Sequence, residues 1–172
     1  RRTGYSKLPK DNRWGTFPGI SAGWVLSREN FMESCSNVLS YAKIRASYGA
    51  NGNVSGVLDA NGNVVTGLDY YTVQGSYGIM KDKDGKIVPN YNGKVPLMIN
   101  DLPNPTMRWE KSYTFETGFD IGFLNNKYIL NFTYYNRHTQ DKFAEITLPS
   151  HSGVSSFLSN NGEVQNQGME LE

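Results

Sequence analysis

The sequence predicts an all-β fold of antiparallel strands, and three observations carry that prediction. Apolar and polar residues alternate with a period of two over several long runs, the pattern of a strand with two unlike faces. Polar turns rich in Asn, Asp and Gly separate the runs. Aromatic residues form 13% of the 172 residues, 11 of them Tyr, and 18 Gly accompany them. That enrichment suits strands and their turns, and barrels in particular.

The first strand falls in 18–27, where Ile20, Ala22, Trp24 and Leu26 share one face and Ser21, Gly23, Val25 and Ser27 the other. The link after it, about 28–40, has room for a turn of helix over 28–38. A second strand covers 41–49, with Ala42, Ile44, Ala46 and Tyr48 alternating with Lys43, Arg45 and Ser47. A long connection follows, about 51–108, with organisation of its own. Its stretches 57–65 and 79–88 each set a polar turn between apolar residues. Both read as hairpins, with Asn61-Gly62 and Asp84-Gly85 at the positive-φ positions.

The strongest alternation lies at 113–124. Tyr113, Phe115, Thr117, Phe119, Ile121 and Phe123 form one face; Thr114, Glu116, Gly118, Asp120 and Gly122 form the other. The run meets the roughly 9–11 residues that a membrane-crossing strand needs. Asn125, Asn126 and Lys127 make a tight polar turn, and alternation resumes with Tyr128, Leu130, Phe132 and Tyr134 against Asn131, Thr133, Tyr135 and Arg137. Together 113–138 reads as one long antiparallel hairpin. After a longer link, about 143–162, a fifth strand is expected to start near Val164 and run to Glu172.

Shorter and longer connections thus alternate, as the short periplasmic turns and long extracellular loops of transmembrane barrels do. On that reading the strands near Trp24 and Thr117 run inward and those near Ile44 and Phe132 outward. Alternation alone leaves two accounts open, since lipid and the core of a soluble sandwich both select one apolar face. Lys43, Arg45, Glu116, Asp120 and Arg137 line an aqueous lumen in the first account and meet bulk water in the second.

Composition removes several function classes. There are 17 Lys and Arg against 16 Asp and Glu, a net +1, which gives no case for a nucleic-acid partner. The single cysteine, Cys35, excludes an intrachain disulfide. His138 and His151 have no companions at metal-ligand spacing, so no metal or cofactor is expected. No run approaches the roughly 18 apolar residues of a transmembrane helix. The mean hydropathy of -0.53 suits a barrel and a soluble β protein alike. The chain opens at Arg1 without the charged segment and apolar run of a secretion leader.

Asp82, Asp84 and Gly85 hint at a calcium loop, but Met80 and Tyr91 stand where its first and last ligands belong, so a turn is favoured. Glu116 and Asp120 are four residues apart on one strand face, about 13 Å by strand rise. A glycosidase pair stands about 5–9.5 Å apart, and no enzyme is predicted. Tyr70, Tyr71, Tyr77 and Tyr91 offer rings on which a sugar stacks, with packing of the long connection's own small core as their alternative role. Trp24 and Tyr128 suit an interfacial aromatic belt.

Five elements resemble, in order, those of the SusC/RagA family of TonB-dependent transporters. The first is Asn12-Arg13-Trp14-Gly15-x-Phe17-Pro18, followed by Ser21, Trp24, Phe31 and Met32. The second is Arg45-Ala46-Ser47-Tyr48-Gly49 with Gly52 and Asn53. Pro103, Asn104, Trp109 and Glu110 carry the third, which continues into Gly118-Phe119-Asp120. The fourth is Tyr134-Tyr135-Asn136-Arg137 with Thr139 and Asp141, and the fifth Gly162, Val164, Asn166, Gly168, Glu170 and Leu171, preceded by Asn160 or Asn161. The resemblance covers the chain apart from about 54–102.

It implies a Bacteroidetes-type outer-membrane barrel of about 22 strands with a plugged lumen. Such a protein imports bulky nutrients, often oligosaccharides or peptides, with energy relayed by TonB, under a SusD-like surface lipoprotein. No binding role carries over to Arg45, Trp109 or Glu110, which are read as structural. Residues 1–172 are expected to be a partial barrel domain, with about 51–108 as a long extracellular loop and the plug domain absent. About five strands cannot close such a barrel, and their open edges are intolerable in lipid, so this section alone is expected to transport nothing. The alternative is a secreted soluble β-sandwich that binds carbohydrate.

Overall fold

The strand pattern at 113–138 becomes the centre of a five-stranded sheet. The structure, a computed structural model, describes the chain except residues 36, 37, 59–63, 69, 89–91 and 93, and describes only the backbone of 58, 64–66, 70, 71 and 150. β1 (Arg2–Gly4) and β2 (Trp14–Thr16) form a small ribbon. β3 (Gly19–Val25) and β4 (Leu39–Asn53) follow. In the long connection β5 (Val57–Leu58) pairs with β6 (Val64–Thr66), α1 (Tyr70–Gln74) is a single helical turn, and β7 (Ser76–Ile79) pairs with β8 (Leu97–Asp101). β9 (Glu110–Phe123), β10 (Tyr128–Thr147) and β11 (Ser156–Leu171) complete the chain. The main sheet runs in the order β11-β10-β9-β4-β3, antiparallel throughout.

Register gives every strand the same two faces. Trp24, Ile44, Phe119, Phe132 and Leu171 stand opposite one another in one row, and Ala22, Ala46, Thr117, Tyr134 and Met169 in the next. The rings of Phe119 and Phe132 stack with centroids 5.1 Å apart. From Tyr113 to Phe123 are ten steps, about 34 Å along the strand. At the usual tilt near 45° that is about 24 Å of height, close to the apolar band of a transmembrane barrel at about 25 Å. A sandwich would pack a second sheet about 10 Å above this face. Among the described residues no sheet lies there, and Trp24, Ile44, Phe115, Tyr128 and Met169 stay exposed.

The strands are longer than alternation suggested. β4 continues to Asn53, and β11 starts at Ser156 instead of near Val164, so the link before it is 148–155 instead of about 143–162. Alternation fades there because polar residues such as Gln140, Glu145, Asn160 and Glu163 are mixed with the apolar Phe143, Ile146, Phe157 and Leu158 without a period of two. A bulge adds to this: Asp141 takes φ +57 and the register shifts between Thr139 and Phe143. The link at 26–38 holds short 3-10 turns at Leu26–Arg28 and Asn30–Cys35, in keeping with the expected helical turn. The turn at Asp84-Gly85 forms, with Gly85 at φ +78 and Asp82 Oδ1 accepting from the amides of Asp84 and Lys86. The Asn61-Gly62 turn lies outside the described residues.

The buried core sits beyond the exposed apolar band. Leu8, Phe17, Ala50, Leu68, Met107, Trp109, Phe143 and Leu158 cluster there, joined by Tyr5 and Tyr113. Phe17 lies directly over Gly52, where a Cβ would meet its ring at 2.0 Å. Gly118 is constrained differently, since a Cβ there would stand 2.3 Å from the Phe132 carbonyl oxygen in the next strand. Backbone in a paired strand cannot step aside without breaking the ladder. Gly118→Ala is therefore expected to cost about 1–3 kcal/mol, as overpacking does, read as a lower urea midpoint of the whole protein. An unchanged midpoint would show that this strand approach is looser than described.

Candidate functional site

The second face of the sheet is the polar one, and its chemistry follows from the same register. Lys43 stands opposite Asp120, Ser47 opposite Glu116, and Arg137 opposite Thr114. Arg45 reaches across two strands: its Nε is 3.4 Å from Asp120 Oδ1, and Nη2 donates to Thr133 Oγ1 at 2.6 Å. Arg137 Nε donates to Thr114 Oγ1 at 3.3 Å. A groove of about 850 Å³ follows this face, bounded by Arg45, Glu116, Asp120, Thr133, Tyr135 and Arg137. It is open, polar and mixed in charge. Such a surface suits water and a hydrated solute passing along it, and holds no nucleophile positioned by a base. Among the described residues no three His, Cys, Asp or Glu come together as a metal site.

The five elements singled out in the sequence divide between two places: Arg45, Asp120, Tyr135 and Arg137 border the groove, while Asn12, Arg13, Phe17, Asn104, Trp109 and Asn160 meet at or beside the buried core. Asn12 Nδ2 donates to the Met107 carbonyl at 3.0 Å, and Trp109 Nε1 donates to the Arg13 carbonyl at 3.1 Å. Phe17 meets Trp109 edge-on at 5.3 Å, and Tyr5 does so at 6.3 Å. Asn104, 3% exposed, donates to the Leu158 carbonyl at 2.9 Å while its Oδ1 accepts from Thr106 N and Oγ1. Asn160 Oδ1 accepts from Arg108 N, and its Nδ2 donates to the carbonyls of Arg108 and Asp141. The Arg108 guanidinium meets Asp141 at 2.6 Å, and that hydrogen bond raises its pKa above the ordinary value despite the opposing effect of burial. These contacts form a clasp between the segment entering β3, the segment entering β9 and the hairpin β10–β11. The structural role expected of Trp109 is what the clasp displays.

The loop tyrosines fare differently. Tyr77, on β7, is 74% exposed and opposite Ile99. Tyr70 and Tyr71 begin α1, with their side chains outside the described residues. Tyr91 lies outside the described residues altogether. Of the four rings only that of Tyr77 is among the described residues. Trp24 Nε1 donates to Glu29 Oε1 at 2.8 Å and its ring meets Phe31 edge-on, which fixes this side chain at the short-link end of the sheet. Sequence reading missed the clasp, whose signal is the buried amide of Asn104 and the half-buried one of Asn160 on either side of the segment that holds Trp109.

Comparison with known proteins agrees with this architecture. The family described as TonB dependent receptor-like, beta-barrel matches residues 1–172. TonB-dependent receptor P3 of Formosa agariphila is 34% identical over 171 residues, covering 99% of this chain and 15% of that protein. TonB-dependent receptor SusC of Bacteroides thetaiotaomicron is 32% identical over 172 residues, covering 99% of this chain and 16% of that protein. The RagAB peptide importer in its closed-closed state superposes with a TM-score of 0.72 at 25% identity, over 96% of this chain and 16% of the solved one. The chain thus spans about a sixth of the length of the proteins it matches.

Proposed function

Since this chain belongs to the TonB-dependent receptor-like β-barrel family, a family of the outer membrane, we propose that it supplies five neighbouring wall strands of a transporter importing oligosaccharides or peptides. One observation carries the reading. A single sheet shows an uncovered apolar face on one side and a charged, hydrogen-bonded groove on the other. A barrel wall needs that division, with lipid outside and water inside. On this reading 1–172 is a partial barrel domain and its plug lies elsewhere in the whole receptor. The connection 54–109 reaches outward, and the turn 124–127 faces the periplasm.

The proposal extends to partners and cargo. A SusD-like surface lipoprotein caps the receptor, and TonB drives it through a segment outside this chain. The resemblance to RagAB, whose description is a peptide importer, keeps peptides beside oligosaccharides as cargo. Tyr70, Tyr71, Tyr77 and Tyr91 touch cargo as it enters, a role that the exposure of Tyr77 supports. The test is growth of a receptor-deleted strain on a panel of oligosaccharides and peptides as sole nutrients. Loss of growth on one class is expected, reproduced by inactivating TonB and restored by returning the receptor. Undiminished growth on the whole panel would sink the import reading.

A further inference from the structure

The long connection carries a ribbon that pairs only with itself. β7 and β8 pair with each other, and among the described residues no third strand joins them. The neck is closed: Ser76 Oγ donates to Asp101 Oδ2. Gly75, at φ +77, lies so near that a Cβ there would meet the Asp101 carbonyl oxygen at 2.9 Å and Pro103 at 3.0 Å. Beyond the neck Tyr77 and Ile79 stand opposite Ile99 and Leu97, and these side chains are all exposed. A two-stranded ribbon is marginal in water by itself, and a contiguous apolar patch left in water marks an interaction site.

The free edge of β7 is more specific than the face. Met80 N donates to the Pro96 carbonyl, the Met80 carbonyl accepts from Val88 N, and Asp82 N donates to the Lys86 carbonyl. Met80 and Asp82 thus turn these groups toward the paired side. Alternation turns the peptide groups of Tyr77, Ile79 and Lys81 to the other side, where no strand stands among the described residues. From Tyr77 to Lys81 this edge runs about 14 Å. Lys81 ends the row with a charge, and Lys83 and Lys86 lie just beyond it. Among the described residues none of these lysines enters an ion pair. The neighbouring Asp82 is committed to the turn, its Oδ1 accepting from the amides of Asp84 and Lys86.

These features fit one cargo class and not the other. An extended peptide repeats the N–H and C=O groups that complete an open strand edge, and its alternate side chains give specificity. An oligosaccharide has no such backbone repeat. It stacks on aromatic faces, and this face offers one ring, Tyr77, among the aliphatic Ile79, Leu97 and Ile99. The unpaired lysines add a complement for an acidic residue. We propose that the free edge of β7 captures peptide cargo as an added strand. Apolar side chains of the peptide lie beside Tyr77 and Ile79, and an acidic residue lies at Lys81. The inference rests on the import reading above and selects peptides from its two cargo classes.

The test immobilises the whole receptor in detergent micelles and offers it a tryptic digest of casein and oligosaccharides from starch and pectin. Retained molecules are identified by mass spectrometry. The best-retained peptide is then synthesised in its native form and as two copies N-methylated at alternate, complementary sets of amides. One copy is expected to bind about tenfold more weakly, as loss of direct hydrogen bonds would, and the other like the parent, because only one set faces the ribbon. Ile79→Pro removes an N–H that points away from β8, so the ribbon's own ladder stays whole, and is expected to weaken the parent peptide about tenfold. Lys81→Gln is expected to weaken an acidic peptide and leave its Glu→Gln copy unchanged, which repeats the measurement should the proline variant fold poorly. Two N-methylated copies that bind like the parent, or variants that bind like the wild type, would overturn the inference and leave import standing. Retention of oligosaccharides alone would do the same, as would a surface lipoprotein that needs Ile79 and excludes every peptide. A receptor that retains neither peptide nor oligosaccharide would overturn the import reading beneath it.

Discussion

Replacing Trp109 by Ala is expected to remove more stability than any other single change in this section. The side chain is 6% exposed, lies edge-on to both Tyr5 and Phe17, and donates to the Arg13 carbonyl. Truncating a buried Trp to Ala costs about 3–5 kcal/mol through lost burial and the cavity left behind. The Arg13 carbonyl loses one of its two donors and keeps the Tyr5 amide at 3.0 Å, so most of the cost comes from the lost burial. The readout is the urea midpoint of the whole receptor in micelles, with Trp109→Phe as the control that keeps a ring and loses the N–H. A large drop for Ala and a smaller one for Phe are expected. Two midpoints close to the wild type would show that the clasp does not hold these segments together.

Placing an arginine at Phe119 is the second large effect. Phe119 sits midway along the apolar run of β9, stacked on Phe132, with Thr133 one residue further along β10 and on the opposite face. An arginine facing lipid at the bilayer midplane costs about 2–4 kcal/mol in a transmembrane barrel. An arginine in a wet lumen keeps its hydration. Phe119→Arg is therefore expected to lower the folded fraction recovered in lipid vesicles, while Thr133→Arg folds like the parent and alters passage through the groove. The contrast isolates the facing of the strand from its general tolerance of charge. Equal losses for both variants, or a Phe119→Arg that folds unimpaired, would refute the assignment of this face to lipid.

The parts of the fold legible in the sequence are those where the two faces of a strand meet unlike surroundings. β9 and the first half of β10 alternate cleanly because Phe115, Phe119 and Phe132 stand against Glu116, Asp120 and Asn131 across the thickness of one strand. The outer half of β10 and the start of β11 lose that contrast, since buried residues such as Phe143 and Leu158 are interspersed with polar ones and the bulge at Asp141 breaks the count. The Asp84-Gly85 turn was readable from its residue types, yet the strands that frame it pair more widely, with Ile79 opposite Leu97. α1 is one turn long, too short for a helical period to show. As for the polar face, Arg45, Glu116, Asp120 and Arg137 were readable as a set from alternation alone. The Arg45 contacts with Asp120 and Thr133 needed the strand order. The clasp was legible as motifs and not as a clasp, because its hydrogen bonds end on carbonyls, which every residue carries.

The span of those bonds bears on how the chain is made. Asn12 meets Met107 across 95 residues, Trp109 meets Arg13 across 96, and Asn104 meets Leu158 across a further 54. Closing such distances is entropically costly and slow compared with forming a hairpin such as β9–β10. A polypeptide delivered from its N-terminus therefore carries residues 1–17 without their partners until Leu158 and Asn160 have followed. During that interval Tyr5, Leu8 and Phe17 lack the partners that bury them, and the apolar surface they expose is adhesive.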